Sequence, residues 1–170
     1  MTLKVFAAEY LDDLVLQAVA SPRRRQHRNI HTDYTDLCQR FFNAIEPNSY
    51  LRPHRHGLAK GAETMIAVRG LMALVVFDDD GEIKQVQRFG AGPRLVDRNI
   101  AVGAETPPGT WHTVVSLESG SVLLEVKAGP FDPLAPKFPA PWAPAEGTSD
   151  GRTYLVKLIA AINADVKICD

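Results

Sequence analysis

Between Gln39 and Val126 the chain breaks into short apolar runs, each ended by a cluster of turn residues, and this rhythm restricts the fold most. The runs cover residues 39–45, 49–53, 64–68, 71–77, 83–89, 100–105, 111–115 and 121–127. The breakers include Glu46-Pro47-Asn48, Arg69-Gly70, Asp78-Asp79-Asp80-Gly81, Pro107-Pro108-Gly109 and Glu118-Ser119-Gly120. Short strands at this spacing predict an all-β antiparallel sandwich or barrel. Asp80-Gly81 supplies a hairpin turn between runs 71–77 and 83–89. Leu37, Phe41, Phe42 and Ile45 also fit a helical period, so residues 39–45 read as strand or helix.

Both flanks differ from this core. Leu11, Leu14, Val15, Ala18 and Val19 fall at i, i+3, i+4, i+7 and i+8, the apolar stripe of a helix that Ser21-Pro22 stops. The basic stretch Arg23, Arg24, Arg25, His27 and Arg28 then reads as a solvated loop or helix end. Half of the 12 prolines lie in residues 130–144, among Phe131, Phe138 and Trp142, which predicts an extended strap on the surface. A second amphipathic helix follows, with Tyr154, Leu155, Leu158, Ile159 and Ile162 on its stripe. The expected organisation is one structural domain: residues 1–38 packing on the barrel, 39–129 forming it, and 130–170 as strap and helix.

Charge and cysteine content remove several function classes. With 19 Lys+Arg against 20 Asp+Glu, the net charge is −1, without the basic excess of a nucleic-acid or anionic-membrane binder. Cys38 and Cys169 are far apart and lack a partner motif, so neither a disulfide scaffold nor a four-thiolate zinc site is expected. Glu9, Asp12 and Asp13 interrupt any signal-peptide core, and no apolar run approaches the roughly 18 residues of a membrane span. A soluble cytoplasmic protein is the expectation.

The chemistry concentrates around Arg52-Pro53-His54-Arg55-His56. Histidines at i and i+2 of a strand share a face, so His54 and His56 can offer two imidazoles to one ion. Glu63 opens the next run, where a hairpin can return its carboxylate to the pair. Pro107-Pro108-Gly109-Thr110-Trp111-His112 delivers a further histidine to the start of a strand. Singly, each feature has an ordinary structural explanation. Together they form His-x-His-x₆-Glu-x₆-Gly, from His54 to Gly70, and Pro-x-Gly-x-x-His, from Pro107 to His112.

That pair of strings resembles the two-part signature of the cupin superfamily. The resemblance implies a small double-stranded β-helix, or jelly-roll, barrel with flanking N- and C-terminal helices. It also implies a metal site made by His54, His56, Glu63 and His112, with Gly70 and Gly109 in the turns. The gap before Glu63 is longer than in most cupins, and Ser116 stands where asparagine is usual. A narrower resemblance covers almost the whole chain. Ser21-Pro22-Arg23-Arg24-Arg25, Asn29-Ile30-His31, Arg52-Pro53-His54-Arg55-His56, Pro107 to Thr113, Glu125 to Pro133 and Ala140 to Gly147 are similar to the WbuC-type cupin-fold metalloproteins, in which the longer gap is normal. Some of those proteins are associated with O-antigen or polysaccharide gene clusters, and cupins commonly form homodimers.

Further groups are candidates for the lumen. Tyr50 and Arg52 share parity with His54 and His56 and would face the same cavity on a regular strand. Arg52 reads either as a carboxylate or phosphate clamp or as half of a structural ion pair. By the same resemblance Asn29 and His31 belong to a segment preceding the barrel, where they would cover its mouth, support the ligands or make ordinary loop hydrogen bonds; Tyr50, Arg52 and His31 are the catalytic candidates. Glu125 reads as a lumen acid or as a solvent-facing residue. The expected cofactor is one divalent ion, zinc, iron, manganese or nickel, and the expected partner a small-molecule ligand or substrate. The leading expectation is a metal-dependent enzyme acting on a small polar, anionic or sugar-derived molecule. A non-enzymatic metallo-cupin and a metal-free sugar epimerase or isomerase are the alternatives.

Overall fold

A computed structural model of the chain describes residues 3–58, 61–132 and 137–165; Cys169 and residues 133–136 of the strap lie outside them. Leu11, Leu14 and Ala18 give α1 (Ala8–Ala20) one buried face, and the helix ends where Ser21 turns extended ahead of Pro22. The strands are β1 (Arg25–Asn29), β2 (Cys38–Ile45), β3 (His54–Arg55), β4 (Glu63–Arg69), β5 (Leu71–Phe77), β6 (Ile83–Gly90), β7 (Gly103–Thr106), β8 (Trp111–Ser116), β9 (Ser121–Ala128) and β10 (Phe138–Pro139). A short 3₁₀ turn, Gly92–Val96, follows β6, and α2 spans Ser149–Asp165.

Two antiparallel five-stranded sheets result, ordered β1-β2-β9-β4-β7 and β10-β3-β8-β5-β6. Their facing sides enclose Ile45, Met65, Met72, Leu74, Phe89, Val114 and Leu123. Alternation sends the other residues of the same strands outward. Phe42, Ala44 and Val122 leave the first sheet to meet Leu11, Leu14 and Ala18 of α1. Ala73, Val75, Phe77 and Val115 leave the second to meet Leu155, Leu158 and Ile162 of α2, with Ala140 and Ala143 of the strap. Both faces of β5 are therefore covered, which is why its sequence is an unbroken apolar run. Each fully buried leucine in these layers stabilises the fold by about 1.5–3 kcal/mol.

The ambiguous segment is a strand, β2, paired along its length with β1 and β9. Two readings are corrected. Residues 49–53 form no strand; the strand here is β3, held by β8 and β10. The basic stretch, expected as a loop or helix end, is β1 at the edge of the first sheet, because Arg25, His27 and Asn29 alternate inward against β2. Between β4 and β5, Gly70 has φ +76°, and a Cβ there would strike the backbone of Ser121, so only glycine makes this turn without strain.

Candidate metal centre

Two adjacent strands place the histidines. The antiparallel register sets His54 of β3 directly opposite His112 of β8, and His56 follows two residues on. The rings of His54 and His112 have centroids 4.8 Å apart, and those of His54 and His56 5.4 Å. One ligand-type atom from each of His54, His56 and His112 lies within 4.8 Å of the other two. His54 and His112 are 6% and 3% exposed. Each uses Nδ1 against the backbone carbonyl two residues earlier, Arg52 at 3.0 Å and Thr110 at 2.9 Å. A carbonyl can only accept, so Nδ1 carries the proton and the Nε2 lone pair is free to ligate. Burial first, then the charges of Lys137 and His112, hold the His54 imidazole well below its ordinary pKa.

Glu63 begins β4, where the register sets it opposite Lys127 of β9. Its two oxygens have different neighbours. Oε1 accepts a hydrogen bond from Lys127 Nζ at 3.1 Å. Oε2 lies 3.1 Å from His112 Nε2 and 3.4 Å from His56 Nε2. Burial alone would raise the Glu63 pKa, but the neighbouring Glu125 carboxyl, the two imidazoles and the charge of Lys127 hold it well below the usual carboxylate range. Lys127 also donates to Glu125 Oε1 at 2.7 Å. Burial and the nearby Glu63 charge push Glu125 above its ordinary range.

This donor set fits a metal ion. With the His112 proton on Nδ1, its Nε2 lone pair faces Glu63 Oε2, and that buried oxygen has no well-directed hydrogen-bond donor. Facing lone pairs in a buried site call for a cation. Three imidazoles and a carboxylate suit zinc, iron, manganese or nickel. Ligands bound about 2.1 Å from one ion stand roughly 3–4 Å apart, so histidine nitrogens up to 4.8 Å apart would draw together by about 1 Å or more to complete the sphere.

The group opens into a cavity of about 330 Å³. His31 lines it, as do Glu125 and Lys127. Tyr50 and Arg52 are placed elsewhere. The Tyr50 hydroxyl donates to the Pro144 carbonyl, and its ring packs on Tyr154 near α2. The Arg52 guanidinium donates to the Ala140 carbonyl at 2.6 Å. The shared parity fails because Leu51 and His54 both face the cavity, so alternation breaks across Arg52-Pro53. Sequence reasoning missed Lys127. Its parity with Glu125 and Leu123 on β9 was the available signal.

Topology and site define the class. Two antiparallel sheets with flanking helices form a small barrel of the cupin type, and the three-histidine cluster at its cavity could hold a metal ion. CapF in complex with a tropolone inhibitor is similar at a TM-score of 0.51 and 18% identity, over 68% of this chain and 31% of that one. A protein from Shewanella oneidensis is similar at 0.51 and 11% identity, over 64% and 70%. A mutant Bacillus subtilis oxalate decarboxylase gives 0.48 and 18% identity, over 66% of this chain and only 27% of its own. A family described as a domain of unknown function, DUF6016, matches residues 6–89, which contain His54, His56 and Glu63 but not His112. No curated protein sequence matches the chain.

Proposed function

We propose that His54, His56, His112 and Glu63 hold one divalent ion, and that the protein is a WbuC-type metallo-cupin and a metal-dependent enzyme. Its substrate would be a small polar, anionic, sugar-derived molecule of polysaccharide or O-antigen metabolism. The observation that most supports the metal is the buried Glu63 Oε2, which faces histidine nitrogens without a directed donor. When bound, the ion supplies Lewis acidity to an oxygen of the substrate. The chain's own residues supply the rest. Lys127 holds Oε1 of Glu63 and leaves Oε2 for ligation. Glu125, whose pKa is raised by burial and the Glu63 charge, lines the cavity beside the site. Ile45, Met65 and Leu123 exclude water from the floor.

The reading extends to a cytoplasmic homodimer. Among the described residues, no helix is long and apolar enough to cross a membrane. The outer faces of both sheets are occupied by α1 and α2, so a second copy would meet other surface, such as Leu3, Val5 and Leu16.

Metal analysis of protein purified without an affinity tag tests the centre. About one ion per chain is expected, lost on substituting His112. Failure to take up zinc, iron, manganese or nickel would refute it. A thermal-shift screen of sugar nucleotides and sugar acids, followed by a turnover assay on each hit, then separates an enzyme from a binding protein.

A further inference from the structure

The cavity changes character from floor to mouth. Ile45, Met65, Val114 and Leu123 form the floor, each less than 5% exposed. The half-buried level carries Glu125 and Lys127, beside Glu63. Arg23, His27 and Lys137 line the cavity as exposed residues, which places them at the mouth.

The two charged levels are balanced differently. Lys127 is shared by Glu63 and Glu125, and Arg25 bonds Glu146 at 2.5 Å, so the inner cations already have carboxylate partners. Among the described residues no carboxylate lies within 4.0 Å of the Arg23 or Lys137 side-chain nitrogens. The register fixes where Lys137 stands. Phe138 pairs with Arg55 and Pro139 with His54, so Lys137 lies one residue beyond the end of that ladder, on the side toward His56. A lysine and an arginine that no described carboxylate touches within ion-pair distance thus face a cavity whose inner end is the histidine cluster. His31 adds a polar ring to the same wall. The Arg40 carbonyl accepts from the Ile30 N–H at 2.8 Å, and the Arg40 N–H donates to His31 Nδ1 at 3.0 Å. His31 Nδ1 also lies 2.8 Å from that carbonyl, and its Nε2 is buried without a hydrogen-bond partner among the described residues.

We infer, building on the metal reading above, that the mouth is a subsite for an acid group at the far end of the substrate, a carboxylate or phosphate held by Lys137 and Arg23. Unpaired cations on low-dielectric walls focus their field into the cavity and select anions over neutral molecules of equal size. A volume of about 330 Å³ is at the small end for ligand sites, which limits the occupant to roughly monosaccharide size. The substrate class is therefore a small sugar acid or sugar phosphate, entering with its anionic end outward.

Calorimetric titration with glutarate, inorganic phosphate and neutral erythritol tests this on metal-loaded and chelator-treated protein. One or both anions should bind and erythritol should not, with affinity falling as sodium chloride rises. A preference between glutarate and phosphate identifies the acid group. Lys137→Gln and Arg23→Gln should each weaken anion binding about tenfold, the scale of one charge-assisted hydrogen bond, with metal content unchanged. Lys137→Arg should keep most of the affinity. Anion binding unaffected by both charge removals, or no binding of either anion at 10 mM, would overturn the subsite. Anion binding by a protein that takes up no metal would refute the metal reading and leave the subsite standing.

Discussion

The two ends of the barrel interior are built from the same strands and obey opposite rules. On β8, Val114 lies in the apolar end and His112, one alternation away, in the polar end. Leu123 and Glu125 divide β9 in the same way, and Met65 and Glu63 divide β4. No change of secondary structure marks the boundary. Within two residues of one strand, the interior passes from burying hydrocarbon to burying charge. The apolar end supplies stability, because its groups gain by leaving water. The polar end is costly unless every charge has a partner, and Lys127, Glu63 and Glu125 meet that condition only as a set.

The sharpest contrast comes from emptying each end in turn. Phe89→Ala in the apolar end should cost about 3–5 kcal/mol, because Phe89 is fully buried and the cavity cannot collapse. Urea denaturation measures it, and a loss under 1 kcal/mol would show that this end is not the core. Lys127→Met should cost roughly 3 kcal/mol, by leaving Glu63 and Glu125 side by side without their cation. The partner variant Lys127→Met with Glu125→Gln should recover part of that loss; no recovery would mean Lys127 acts by packing alone.

His54→Ala should reverse the pattern. Metal content should fall from about one ion to near zero, while the chelator-treated protein loses no more than about 1 kcal/mol, because an unfilled ligand set contributes little to folding. A large loss in metal-free protein would make His54 a structural residue. The smallest effect is expected from pH. Burial opposes ionisation of Glu146, yet the hydrogen bond and charge of Arg25 hold its carboxyl below the usual range. A depressed folded-state pKa adds stability that is present above the unfolded value of about 4.5 and is lost as pH falls through the lower folded value. The melting temperature should therefore drop between about pH 5 and 3, with a shallower slope in Glu146→Gln. Equal slopes would remove Glu146 from the acid limb.

What the sequence made legible follows the same division. Runs 71–77, 83–89, 111–115 and 121–127 correspond to β5, β6, β8 and β9 because apolar outer faces and turn residues signal them locally. His54, His56 and His112 stand out because three imidazoles within paired motifs have few other uses. The strand β1 was hidden because its inward residues Arg25, His27 and Asn29 are polar, so the usual sign of burial is inverted. Lys127 was hidden for the same reason, and Glu125 was left ambiguous. Tyr50 and Arg52 were misplaced because parity holds only along an unbroken strand, and the chain leaves that geometry at Pro53.

The Arg25–Glu146 ion pair spans 121 residues. Glu146 also accepts the Arg52 backbone N–H at 3.1 Å, so one carboxylate ties the strap to both β1 and the segment leading to His54. During synthesis on the ribosome, β1 to β9 leave the exit tunnel before this carboxylate does. The nascent barrel must therefore wait with Arg25 unneutralised and the histidine edge strand unanchored on its outer side. Emergence of the strap is the step that closes both, so the histidine cluster gains its outer support late in translation.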